Sequence, residues 1–186
     1  MPATPRTVRA LALALAGIGL SASTMSALPA SAATGGSTSD NTSTTTTAKT
    51  TQKAARVSAA RRVANRVQTA RDIALRQRGD AYAYGAAGPN AFDCSGLIRY
   101  SYSRAGLAVP RTSSAQAGAV RRIAKNDLRS GDLMFFYGGG GVYHAAIFLR
   151  WSHGHAVMLH SPGSGQRVRV AVPWTSSWFA GTVRRA

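Results

Sequence analysis

The pattern of apolar residues changes at Gly131, and that change limits the fold more than any other feature of the chain. Ahead of it, Ala54 to Arg78 carries Val57, Ala60, Val63, Ala64, Val67, Ile73 and Leu75 at mostly helical spacing, with charged residues between them. Gly79-Asp80 closes this helix, and Tyr82 to Asn90, rich in Gly, reads as a loop. A second helix is expected from Ser95 to Ala105, capped by Asp93 and ended by Gly106. Pro110-Arg111-Thr112-Ser113 then starts a third, with Gln116 inside it. After Gly131 the apolar runs shorten to strand length: Asp132 to Tyr137, Val142 to Leu149, Ala156 to His160 and Val168 to Val172. The turns between them are expected at Gly138 to Gly141, Arg150 to His155 and Pro162 to Gly165. Helices first and an antiparallel meander afterwards define an α+β class, with N-terminal helices packed on a small sheet.

Not all of the 186 residues enter that domain. Arg6 and Arg9 precede the apolar run Ala10 to Leu20, and Ala30-Ser31-Ala32 offers a small-residue cleavage site. This order is that of a secretory signal peptide over residues 1–32, so the protein is expected to be secreted or held at the cell wall. The run is short for a membrane span, and stable membrane insertion is not expected. Residues 33–52 are nearly all Ala, Thr, Ser and Gly, cannot bury a core, and are expected to form a disordered tether. Residues 53–69 are then a basic helical lead-in, and residues 70–186 the folded domain.

The net charge is +17, with six aspartates as the only acids. Lys53 to Arg78 alone holds eight basic residues against Asp72. Such a face attracts polyanions. For an exported protein the expected partners are anionic cell-wall polymers rather than nucleic acid.

Cys94 is the only cysteine. An exported chain with one thiol cannot staple itself, which leaves a buried thiol, a metal ligand, an intermolecular link or a nucleophile. A position in the first turn of a capped helix, where free N–H groups and the helix dipole favour thiolate, points to the nucleophile. If the hairpin of the second and third strands is centred near residue 152, His144 and His160 face each other directly across it. Two such histidines form a base and the group that orients it. His153 and His155 fall in the turn and read as exposed. Cys94, His160 and the His153-x-His155 pair could ligate zinc, but hydrolysis on zinc also calls for a carboxylate base, and the chain has no glutamate. No metal or other cofactor is expected. Trp151, Trp174 and Trp178 read as cover for the sheet edge.

Five segments in order complete the picture: Ala81-Tyr82-Ala83-Tyr84-Gly85, Phe92-Asp93-Cys94-Ser95-Gly96-Leu97, Pro110-Arg111-Thr112-Ser113-Ser114-Ala115-Gln116, Gly131-Asp132-Leu133-Met134-Phe135-Phe136 and Tyr143-His144-Ala145-Ala146-Ile147-Phe148-Leu149. Together they resemble the NlpC-type cell-wall peptidases, papain-like cysteine enzymes that cut peptidoglycan stem peptides. The resemblance implies Cys94 as nucleophile, His144 as general base and His160 as the third polar residue. It implies Tyr82 lining the site and holding the oxyanion, Asp93 and Ser95 near the substrate's amine or carboxylate groups, and Arg111 near the cleft. It also implies the γ-D-glutamyl bond to the diamino acid as the bond cut. An amidase or acyltransferase on the same fold, or a noncatalytic basic envelope-binding protein, is the alternative. Tyr84 stands where tryptophan is commoner, Ser130 where proline is usual, and Ala145-Ala146 where Val-Gly is usual.

Overall fold

The computed structural model describes residues 43–184, with side chains from residue 49 onward. The signal segment and the first part of the tether lie outside the described residues.

A single long helix, α1 (Ser43–Leu75), leads into the domain. It starts inside the stretch expected to be a disordered tether, so residues 43–52 are helical and the boundaries at 52 and 69 fall within one continuous helix. Residues 49–62 are exposed throughout, in keeping with a composition that buries nothing. Once a helix is nucleated, each further residue adds a hydrogen bond without a new nucleation cost, and Ala, Lys and Gln accept that conformation readily. The C-terminal half of α1 is the part that packs: Val67, Ala70, Ile73 and Ala74 are buried.

Two short strands, β1 (Ala81–Tyr82) and β2 (Ala91–Phe92), pair in parallel around the Gly-rich loop. Helix α2 (Cys94–Arg104) follows directly, capped by Asp93 as the sequence implied, with Gly106 at positive φ just past its end. Helix α3 (Ser113–Ala119) is capped by Thr112, whose hydroxyl accepts from the Ala115 N–H at 3.3 Å.

The sheet consists of β3 (Arg121–Ile123), β4 (Leu133–Gly138), β5 (Gly141–Ser152), β6 (His155–His160), β7 (Arg169–Ala171) and β8 (Trp178–Thr182). Its spatial order is β3-β8-β4-β5-β6-β7, and its paired neighbours are antiparallel. The expected meander is present as β4 to β7. The chain then returns across the sheet, and β8 inserts between β4 and β3, two strands the pattern did not reveal. The sheet carries a core on each face. One joins Leu133, Phe135, Ala145, Ile147 and Leu159 to Ala70, Ala74, Leu97, Ile98 and Tyr102 of α1 and α2. The other joins Met134, Phe136, Ala146, Phe148, Met158, Trp178 and Ala180. The buried Tyr102 hydroxyl donates to the Gly131 carbonyl, tying α2 to the start of the sheet.

The β5–β6 hairpin corrects the expected register. Its turn is only His153-Gly154, both at positive φ. Next to the turn, Ser152 lies opposite His155 and Trp151 opposite Ala156, so even numbers face odd ones. Beyond Leu149 the pairs are Phe148–Met158 and Ile147–Leu159, and even now faces even. The irregularity between Phe148 and Arg150 is a β-bulge that absorbs one residue. His144 and His160 therefore share a face, but His160 is not directly opposite His144. The ladder carries it toward Ala146, two residues away, while His144 lies opposite Phe136 of β4. His153 and His155 are exposed, as expected.

Candidate active site

Cys94 begins α2 because Asp93 ends the chain's extended approach and caps the helix. Asp93 has φ −89° and ψ 178°, and its Oδ1 accepts from the Gly96 N–H at 2.6 Å. The same carboxylate accepts from the Gly85 N–H at 3.0 Å, from the Ser95 hydroxyl at 3.2 Å, and from both Nη atoms of Arg111 at 3.0 and 2.6 Å. Arg111 also donates to Ser95 Oγ at 3.1 Å and to the Ala86 carbonyl at 3.3 Å. A carboxylate with this many donors is fixed, and hydrogen bonds from Arg111, Gly96 and Gly85 outweigh burial to hold it below its ordinary range. Asp93, Ser95 and Arg111 thus form one cluster beside the nucleophile. Gln116 joins it from α3, donating to the carbonyls of Ser95 and Pro110 at 2.9 Å each.

No side chain fits at Gly96. A Cβ there would meet the Ala86 carbonyl oxygen at 2.0 Å. The loop before β2 lies flat on the helix start, and the Asp93 N–H donates to that same Ala86 carbonyl at 2.9 Å.

The thiol itself is half-buried. Burial pushes Cys94 up, and the Asp93 charge adds to this, while hydrogen bonds from the Ala145 and Ser95 backbone oppose it. The helix start alone thus does not leave a thiolate at rest. The Ala145 contact matters for another reason: it brings the sulfur to the residue next to His144.

His144 Nε2 and His160 Nδ1 are 3.0 Å apart, with the rings perpendicular. That bond occupies Nε2 of His144 and leaves Nδ1 as the nitrogen available to the thiol. Burial drives both imidazoles down, His144 to about 3 with help from His160, and His160 to about 4 with help from Arg169. Raised thiol and lowered imidazole both favour neutral resting groups. Tyr82 is raised by burial and by Cys94 and Asp93, and so remains a protonated donor at neutral pH.

The structure brings Cys94, His144, His160, Tyr82, Asp93, Ser95 and Arg111 to one region. It adds Trp174, read from the sequence as sheet-edge cover. Its indole lies against Phe136, His144 and His160, with centroids 4.5, 5.2 and 5.7 Å away. Nothing in the local sequence marks it, since it comes from the loop between β7 and β8. Among the described residues no group of three or more His, Cys or Asp is arranged to hold a metal ion, and no helix is long and apolar enough to cross a membrane.

A thiol at a capped helix start and a hydrogen-bonded histidine pair on an antiparallel sheet belong here to an α+β fold of papain-like type. Residues 79–185 match the NlpC/P60 family, and the chain belongs to that family. A probable endopeptidase of Corynebacterium glutamicum is 43% identical over 93 residues, which is 50% of this chain and 42% of that protein. The chain thus spans less than half the length of that curated relative. The peptidoglycan hydrolase RipB of Mycobacterium tuberculosis has a TM-score of 0.57 at 29% identity, covering 67% of each chain. RipD of the same organism, a non-catalytic NlpC/p60 domain protein adapted to peptidoglycan binding, has a TM-score of 0.52 at 30% identity over 63% of this chain and 97% of its own.

Proposed function

We propose that the protein is a secreted cysteine endopeptidase that cuts peptidoglycan stem peptides, at the γ-D-glutamyl bond to the diamino acid, during cell-wall remodelling. The observation that carries this reading is the 3.0 Å His144–His160 bond beside a thiol at a capped helix start. Cys94 Sγ attacks the scissile carbonyl, and its proton passes to Nδ1 of His144. The new oxyanion is met by the Tyr82 hydroxyl and by N–H groups at the start of α2. His144 then gives the proton to the leaving amine, and the C–N bond breaks to leave a thioester. Water attacks the thioester, again losing its proton to His144, and the acid and free thiol are released. His160 keeps His144 oriented, and Asp93 with Arg111 keeps the helix start rigid beneath the substrate.

The related endopeptidases and the family membership support peptidase chemistry. The thiol, held by the backbone of Ala145 next to His144, and the bonded histidine pair favour catalysis over a purely binding role like that of RipD. The eight basic residues of Lys53 to Arg78, many on the exposed part of α1, are proposed to add affinity for anionic wall polymers.

Digestion of purified muropeptides by the mature protein, read by mass spectrometry, tests the reading. Fragments cut between the second and third stem residues are expected, and none from the Cys94→Ala variant. Cleavage between muramic acid and L-alanine would make it an amidase. Binding without cleavage would leave the noncatalytic reading standing.

A further inference from the structure

The imidazole of His144 touches three other rings. Phe136, fully buried on the neighbouring strand, meets it edge-on at 5.6 Å and 61°. His160 stands perpendicular to it at 5.2 Å. Trp174 meets it at 5.2 Å and 65°, while lying nearly parallel to both Phe136, at 10°, and His160, at 26°. The exposures rank these groups. Both histidines are buried, at 6% and 2%, whereas Trp174 is 54% exposed. The indole is therefore a layer between the histidine pair and the solvent. Just past Trp174 the loop is tied down by the Tyr137 N–H donating to the Ser177 carbonyl at 3.1 Å and by Lys125 Nζ donating to the Ser176 carbonyl at 3.1 Å.

We propose that Trp174 is a positioning residue, whose indole seals the His144–His160 hydrogen bond from water and fixes the angle at which His144 meets Cys94. A single hydrogen bond leaves the His144 ring free to swing about its own axis. Rings packed on its flanks remove that freedom, and an aromatic edge or offset face does so with favourable contact. A water molecule admitted beside the pair would compete for His144 Nε2 and His160 Nδ1, because both are good hydrogen-bonding atoms. Among the described residues, buried His160 Nε2 has no hydrogen-bond partner, so no second bond there holds its ring, and the stacked indole takes that part.

The charged groups that act on the pair are Asp93 at the start of α2, itself ion-paired with Arg111, and Arg169 of β7 beside His160. None lies on the loop that carries Trp174, whose neighbours Thr175, Ser176 and Ser177 are uncharged. Replacing Trp174 thus changes water access and geometry but no charge.

The inference rests on the catalytic reading of the pair, so its test has one arm that needs no substrate. Histidine ring titration by NMR in the full chain should show the His144 midpoint rising by about one pH unit or more in Trp174→Ala, toward the ordinary value, as water reaches the imidazolium. Trp174→Phe should restore the low midpoint. On muropeptides, Trp174→Ala should lose about 10- to 100-fold in kcat with KM changed less than about threefold, since orientation and not binding is lost. Trp174→Phe should recover most of it. Trp174→Leu, which keeps apolar bulk without a flat face, should fall between them and gives the same reading if the alanine variant does not fold. An unmoved His144 midpoint in the alanine and leucine variants, or a loss confined to KM, overturns the proposal. If no variant cuts muropeptides and the wild type does not either, the titration arm still decides.

Discussion

At the Cys94 end of the site, Asp93 gathers hydrogen bonds from Gly85, Ser95, Gly96 and Arg111, and the side chains there are mostly polar. At the His144 end, one hydrogen bond joins two imidazoles, and the rings of Phe136 and Trp174 pack against His144. Cys94 is held by charge and capping, and His144 by apolar packing. Under the proposed mechanism the difference follows from what each must do. Cys94 needs a rigid helix start with free N–H groups pointing at the developing oxyanion, which a satisfied polar cluster supplies. His144 must take and return a proton, so it must be neutral at rest, and burial among rings keeps it so.

The comparison breaks most sharply at the two reacting groups. Cys94→Ala should lower kcat by about 10⁴-fold or more, and His144→Ala should come close to that, because residues acting as a unit fail together. Both variants should keep the wild-type circular dichroism. Iodoacetamide should inactivate the wild type and EDTA should not, and activity lost in EDTA and regained with zinc would sink the cysteine mechanism.

His160 sharpens the contrast next, since it only orients. His160→Ala should cost about 10²-fold in kcat, and His160→Asn less, because an amide can replace the bond to His144 Nε2. Equal rates for the two variants would remove the orienting role.

On the polar side the effect should appear in stability. Asp93→Ala removes the cap and leaves Arg111 without its partner, a loss of about 2–4 kcal/mol that urea denaturation would measure. Gly96→Ala should also destabilise, since its Cβ would lie 2.0 Å from the Ala86 carbonyl oxygen. A fully stable Gly96→Ala protein would mean that the loop does not lie on the helix.

A last expected effect is the pH dependence of stability. His144 and His160 are depressed to about 3 and 4 by burial, so below the ordinary value near 6.5 the unfolded chain binds more protons than the folded one. The melting temperature should therefore fall as pH drops from about 6.5, and Asp93, itself lowered by Arg111, adds to the loss at the acid end of that range. His160→Asn should flatten the upper part of the curve. A melting temperature constant from pH 7 to 4 would show that the histidines are hydrated in the folded state.

The capped helix of Cys94 was legible because every signal lies within about a dozen residues: Asp93 before it, Gly96 inside it and Gly106 after it. Strands β4 to β7 were legible from their apolar runs. β3 escaped because it is three residues long and two of them are exposed arginines. β8 escaped because Trp178–Thr182 holds Gly181 and lacks alternation, its identity as a strand coming only from the partners on either side. Residues 43–52 are helical although their composition buries no core, because a helix satisfies its own backbone.

The sequence by itself determined the elements and the chemistry available. It placed one thiol behind a cap, put histidines on two neighbouring strands, and set a basic helix ahead of them. The tertiary structure decided how those parts meet. One residue absorbed at Leu149 turns His144 and His160 to the same face, since side chains alternate along a strand and a shift of one reverses them. Arg111 reaches Asp93 across 18 residues, and Trp174 reaches the histidines from a loop after β7. Such contacts depend on how the sheet folds back on itself, and no periodicity along the chain encodes them.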